Sequence, residues 1–310
     1  MNRGSRPSWY KPDVGLSMRM AITIFLLGAV YVAFGVVLYY LRVPLVFLIV
    51  VAGAIAFAQF FFADKIALVA MGAREVDEAQ APQLHEMVAR LAAQANLPKP
   101  RIAIVNSTVP NAFATGRSKN NAVVAVTTGI LNRLSPQELE AVLAHELTHI
   151  INRDMMVMTI AAFFSMVAGL LVRNLMYAGM FGGFGGRRSR DDNGGAVILL
   201  IFLASIVVYA ISFVLIRALS RYRELAADRG SALITGAPSH LASALMHIST
   251  DMQRIPDRDI REASAVNALW IVPALKGDSL MSFLSTHPST EERVRRLEQM
   301  QATMEQSQRF

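Results

Sequence analysis

Two histidines stand four residues apart in LAHELTHIINRD, Leu143–Asp154, with a glutamate directly after the first. On a helix, positions i and i+4 share a face, so His145 and His149 can present their imidazoles to one point. Glu146 then lies about 100° round the helix, beside that point rather than on it. Two nitrogen ligands with an adjacent carboxylate suit a hydrolytic zinc site, in which the rings hold the ion and the carboxylate takes a proton from an activated water. The plain alternative is a satisfied pair of core histidines beside an incidental acid.

A catalytic zinc takes three protein ligands and keeps a position open. The chain has no cysteine, so disulfides and thiolate ligands are excluded and the third ligand must offer nitrogen or oxygen. His85, His240, His247 and His287 are the remaining histidines, but the better candidate is an acid in SRYRELAADRGSAL. There Glu224 and Asp228 stand four apart among Arg221, Arg223 and Arg229. With Glu224 as third ligand, Asp228 is placed one turn on to accept the other ring N–H of a metal-bound histidine. The competing reading is a solvated, salt-bridged helix face.

These residues need elements to hold them. Ser135 is a strong N-cap, Pro136 fits the first helical position and Glu138 completes a capping box, so the histidine pair falls inside a well-started helix with Leu139, Val142, Leu143 and Leu147 as its buried stripe. Ahead of it, residues 75–96 carry Leu84, Met87, Val88 and Leu91 at helical spacing, closed by Asn96-Leu97-Pro98. RIAIVN (Arg101–Asn106) and AVVAVT (Ala122–Thr127) are short, β-branched and predicted as strands, with PNAFATGRSKNN between them as loop and turn. Further helices are expected over about Leu219–Leu233, Leu241–Met252 and Thr290–Gln301, whereas residues 253–285 carry no clear pattern.

The rest of the chain is strongly apolar. Of its 310 residues 54% are hydrophobic, and the mean hydropathy is positive. That excludes an ordinary soluble domain and points to membrane spans plus a folded remainder. Met20–Leu41 and Val43–Ala63 are each about 20 residues, enough for ~30 Å of helix, and read as a transmembrane hairpin rather than a cleaved signal. Met155–Val172 and Ala196–Ile216 form a second pair, joined through the flexible, charged GMFGGFGGRRSRDDNGG. The net charge of +7 is assigned to basic flanks of these spans, not to a nucleic-acid partner.

Arg3, Arg6, Lys11 and Arg19 precede the first span, whereas the first hairpin turn holds only Arg42; the bias places the N-terminus in the cytoplasm. Arg187, Arg188 and Arg190 oppose that direction, partly offset by Asp191 and Asp192. The expected organisation is a cytoplasmic segment 1–19, a membrane hairpin 20–63, one half of a soluble domain 64–154, a second hairpin 155–216 and the other half 217–310. Met155 follows His149 closely and Glu224 follows the last span closely. If both spans cross, the two helices emerge antiparallel on one membrane face, and the second hairpin brings Glu224 to the histidines.

PNAFATGRS, NAVVAVTTGILNRLS, LAHELTHIINRD, RELAADRGSA and THPSTEERVRRL occur in that order, with apolar spans between them. In this the chain resembles the HtpX group of bacterial membrane zinc metalloproteases, gluzincins related to the eukaryotic CaaX-prenyl endopeptidases. The N-terminal twenty residues are longer than the start typical of that group and carry no motif.

The resemblance implies a mainly α protein with a small β-sheet (α+β), a zincin-like cytoplasmic protease domain attached to about four transmembrane helices. It implies one Zn2+ held by His145, His149 and Glu224, with Glu146 as general base. It further implies that Asn111 contacts the substrate backbone, that His287 sits near the scissile carbonyl and that Arg293 contributes to the same site. The expected role is quality control in the bacterial cytoplasmic membrane, cleaving misfolded or damaged membrane proteins, with the lipid bilayer as the other partner. The alternatives are an inactive zinc-binding membrane scaffold and a prenyl-peptide protease; a metal transporter is disfavoured because its ligands belong within spans.

Overall fold

A computed structural model of the chain describes residues 14–40, 45–158, Gly169, Arg173, 194–254 and 288–307. The chain divides into two compact units, one of Met1–Leu16, Phe62–Met156 and Ser220–Phe310, the other of Ser17–Phe61 and Val157–Leu219.

The first unit is built round a four-stranded sheet of order β1-β2-β4-β3: β1 (Ala73–Glu75), β2 (Arg101–Val105), β3 (Ala112–Gly116) and β4 (Ala122–Thr127). β2 and β4 are parallel, while β1 and β3 pair antiparallel at the two edges. Every residue of β4 is buried, as expected of a central strand covered on both faces. Ala122, Val124 and Val126 join the main core, whereas Val123 and Ala125 pack with Ala103, Val105, Phe113, Ala67 and Leu68 on the other side. That is the period-2 alternation of a strand.

β3 lies where a loop was expected. Its AFATG sequence has few strong strand formers, and pairing with β4 in the register Ala112↔Val126 through Gly116↔Ala122 overrides that weak propensity. The segment 75–96 is also divided: Ala73–Glu75 forms β1, and the helix begins only at Pro82, whose ring suits the first helical turn.

The helices are α1 (Val14–Tyr40), α2 (Leu45–Ala70), α3 (Pro82–Gln94), α4 (Thr128–Arg133), α5 (Pro136–Asn152), α6 (Gly194–Thr235), α7 (Pro238–Arg254) and α8 (Thr290–Ser307). α5 is the spine of the first unit. It carries the complete Ser135–Glu138 capping box, is buried continuously from Ala141 to Asn152, and stops where Arg153 turns left-handed at φ 60°. Leu143, Leu147, Ile150 and Ile151 pack there with Leu91 of α3, Leu241 and Leu245 of α7 and Leu297 of α8.

In the second unit Phe34 and Leu38 of α1 pack with Ile201 and Val208 of α6, leaving Phe25, Val32, Leu200 and Val207 outward. Among the described residues, two helices are long and apolar enough to cross a membrane, α1 and the stretch Leu199–Thr235 of α6. A third joins them if the bent pair Gly53–Phe62 and Asp64–Ala70 is one span. Most of the expected span Met155–Val172, and all of the Gly/Arg-rich connection through Asn193, lie outside the described residues.

Candidate metal centre

The last turns of α6 lie against α5 and run antiparallel to it. The contacts ascend one helix as they descend the other: Ser231 Oγ donates to the Ala141 carbonyl at 2.7 Å, Asp228 meets His145, and Glu224 meets His149. Gly230 makes the approach possible. A Cβ there would stand 2.2 Å from Cγ2 and 2.5 Å from Oγ1 of Thr148, so any side chain would wedge the helices apart.

This packing brings His145, His149 and Glu224 together, with one ligand atom from each lying within 4.8 Å of the others. Nε2 of His145 is 3.6 Å from Glu224 Oε2, and Nε2 of His149 is 3.6 Å from Oε1. Ligands ~2.0–2.2 Å from a tetrahedral ion stand roughly 3.4 Å apart, so the spacing suits one ion. Among the described residues this is the one group of acids and histidines so arranged.

Each ring is held from behind. Asp228 Oδ1 lies 3.0 Å from Nδ1 of His145, and Asp154 Oδ2 lies 2.7 Å from Nδ1 of His149. With Nδ1 of each ring facing a carboxylate, Nε2 is the nitrogen left to offer a lone pair to a metal ion. Arg293 grips Asp228 in a two-pronged bond, Nε to Oδ2 at 2.9 Å and Nη2 to Oδ1 at 2.7 Å, and stands 3.7 Å from Glu224. Arg223 approaches Asp154 at 3.4 Å.

The electrostatics favour a cation. With neutral rings, four carboxylates (Glu146, Asp154, Glu224, Asp228) face two guanidiniums (Arg223, Arg293), all buried, and a divalent ion balances the difference. Burial acts to lower the pKa of His145, yet Asp228 and Glu224 outweigh it and push the pKa up to about 9. A site that holds a proton so firmly is one that stabilises positive charge. Burial pushes the Glu146 carboxyl up; the neighbouring rings and a hydrogen bond from the Ala114 N–H act against it.

The sequence-predicted residues are distributed unevenly round this centre. Glu146 and Asp228 belong to it. Arg293, expected at a substrate contact, is only 1% exposed and is committed to Asp228 and Glu224, so it braces the centre from behind. Asn111 is fully buried at the head of β3, its N–H donating to Thr127 Oγ1 and its carbonyl accepting from the Thr127 N–H, both at 2.9 Å. His287 lies outside the described residues. Asp154 and Arg223 went unassigned from sequence. The signal for Asp154 was its place five positions after the second histidine, directly past the helix end.

Comparison with known proteins agrees with this geometry. Residues 78–301 match Peptidase family M48, a span that contains every residue of the centre. The protease HtpX homolog 2 of Methanosarcina acetivorans is 56% identical over 295 residues, covering 95% of this chain and 98% of that protein. The protease HtpX homolog of Moorella thermoacetica is 54% identical over 294 residues, covering 95% and 97%. The crystal structure of Ste24p from S. mikatae is similar in fold, with a TM-score of 0.52 at 19% identity over 92% of this chain and 67% of that one. Matched nearly end to end by HtpX-type proteases and carrying a His-His-Glu centre that fits a metal, the chain belongs to Peptidase family M48 and is a metalloendopeptidase.

Proposed function

We propose that the protein is a zinc endopeptidase of the bacterial cytoplasmic membrane, its active site on the cytoplasmic side, that cuts misfolded or damaged membrane proteins. His145, His149 and Glu224 would hold the zinc, which the all-nitrogen-and-oxygen donor set suits. When bound, the ion supplies Lewis-acid activation of a water.

The chain's own residues do the rest. Glu146 takes the proton of the attacking water and passes it to the departing amide nitrogen, a task suited to a buried carboxylate whose pKa is raised. The Ala114 N–H holds that carboxylate in place. Asp228 and Asp154 fix the rings, and Arg293 fixes Asp228. Among the described residues β3 is an edge strand, and in its antiparallel pairing with β4 the backbone groups of Ala112, Ala114 and Gly116 alternate toward the side with no strand neighbour. An extended substrate lying along that edge would add a strand, with main-chain bonds supplying affinity and little demand on sequence. This suits removal of unfolded chains, and the apolar helices α1 and α6 support a membrane setting.

The observation that supports the reading is the hydrogen bond between Glu146 and Ala114, which joins this carboxylate, next to the His145–His149–Glu224 cluster, to the edge strand. The test is cleavage of casein or a denatured membrane protein by the detergent-purified enzyme. Glu146→Gln should keep its zinc and lose cleavage by about 10²–10⁴-fold, and a chelator should abolish wild-type cleavage. Undiminished cleavage by the Gln variant would remove Glu146 as base.

A further inference from the structure

The two elements that carry the site run on together into a cationic cavity of about 290 Å³. One wall is Arg117, Ser118, Lys119 and Asn120, which directly follow β3; the other includes Ile150 in the last turn of α5 and Arg153 at its end. Among the described lining residues, three cations and two neutral donors surround an apolar wall, and none is acidic. Gly116 shapes the corner. Its φ is +136°, and a Cβ there would meet the Asn121 carbonyl at 2.2 Å, so only glycine lets residues 117–120 fold back at the strand's end.

Two correspondences locate this cavity along a substrate. Glu146 meets Ala114, and one helical turn further on Ile150 faces the same cavity as the loop that begins at Arg117. Strand and helix therefore pass in the same direction, and the cavity lies three strand residues, ~10 Å, beyond the base. A peptide paired along β3 with its scissile carbonyl at Glu146 brings a side chain two to four residues away into the cavity.

We propose that this cavity is a specificity subsite for an acidic side chain, Asp or Glu, on one side of the scissile bond. The inference rests on the protease reading above and narrows it: cleavage is tolerant of sequence except for a carboxylate at this position. Both walls are continuations of the strand and helix that carry the chemistry, which favours a polypeptide ligand. The rival is the phosphate of an anionic lipid, since the apolar stretch from Val157 follows closely in sequence.

The test uses the full-length enzyme in nanodiscs and matched peptides bearing Glu, Gln or Lys at each position from four before to four after the scissile bond. Wild type should cleave the Glu peptide about tenfold better than the Gln peptide, in kcat/KM, at one position two to four residues out, as expected of a charged hydrogen bond. Arg117→Gln with Lys119→Gln should erase that difference. Arg117→Glu with Lys119→Glu should invert it in favour of Lys, which also shows that the altered protein folds. Cleavage that is chelator-sensitive but blind to charge at every position overturns the subsite and leaves the protease reading standing. Cleavage equally blind to peptide charge, but raised by phosphatidylglycerol over phosphatidylcholine and losing that response in the Gln pair, assigns the cavity to lipid and likewise overturns it. No cleavage of any peptide by wild type removes the protease reading and the subsite together.

Discussion

Asp154 reaches back to His149: its Oδ2 lies 2.7 Å from the ring Nδ1, although five positions separate them and the helix has already ended. The left-handed turn at Arg153 makes this possible by breaking the helical path between them. A continuing helix would carry position i+5 well away from the ring's face. The bond fixes the ring's tautomer and its rotation at once. Asp154→Ala should therefore weaken metal binding about 10–100-fold, measured by competition with a graded chelator. Asp154→Asn, which keeps an acceptor oxygen, should lose less. Unchanged affinity in both would show that the ring is held by other means.

The approach of α6 to α5 depends on Gly230. Gly230→Ala would drive a methyl into Thr148, at a cost of ~1–3 kcal/mol for overpacking. Thermal unfolding should shift down, and metal content should fall because Glu224 is displaced with its helix. Adding Thr148→Ala removes the two closest contacts and should restore part of both losses. Additive effects in that double variant would contradict direct contact.

Arg293 offers a clear choice between bracing the centre and touching substrate. Its removal leaves Asp228 and Glu224 buried beside an uncompensated site, a loss of ~3–5 kcal/mol when one partner of a buried pair goes. Arg293→Met should lower both thermal stability and metal content, and adding Asp228→Asn should recover much of the stability. An arginine that contacts substrate would instead raise KM with stability and metal untouched.

Glu138 secures the start of α5. Burial pushes its carboxyl up, but hydrogen bonds from Ser243 and Ser135 and the nearby His247 outweigh burial and hold it below the usual range. A folded pKa below the unfolded value of 4.5 contributes stability that is present above that pH and lost as pH falls through the folded pKa. Glu138→Gln should lower the unfolding temperature near neutrality and flatten its decline on acidification below about pH 4.5. A decline as steep as wild type would place the titrating group elsewhere. Ser135→Ala, which removes the cap, should cost ~1 kcal/mol.

The cluster of His145, His149 and Glu224 was legible because its signals are periodic: two histidines at i and i+4 in a capped helix, and an acid pair at the same spacing in another. What lay outside periodicity was harder to see. β3 reads as a loop because AFATG earns strand geometry only by pairing with β4. Asp154 is hidden by the turn at Arg153. Arg293 sits in TEERVRRLEQMQATMEQS, a helix whose composition is that of a solvated surface, and burial of a guanidinium becomes intelligible only once Asp228 is seen opposite it. Tertiary pairing, not local preference, placed each of these.

The arrangement of His145, His149 and Glu224 round one ion is tested most directly by metal stoichiometry. Wild type and Glu224→Ala, purified in the same detergent and dialysed against the same weak chelator, are compared by elemental analysis per mole of protein. The account predicts about one ion per chain in wild type and a large loss in the variant, with the fold preserved by circular dichroism. Full occupancy in a folded Glu224→Ala protein would contradict it.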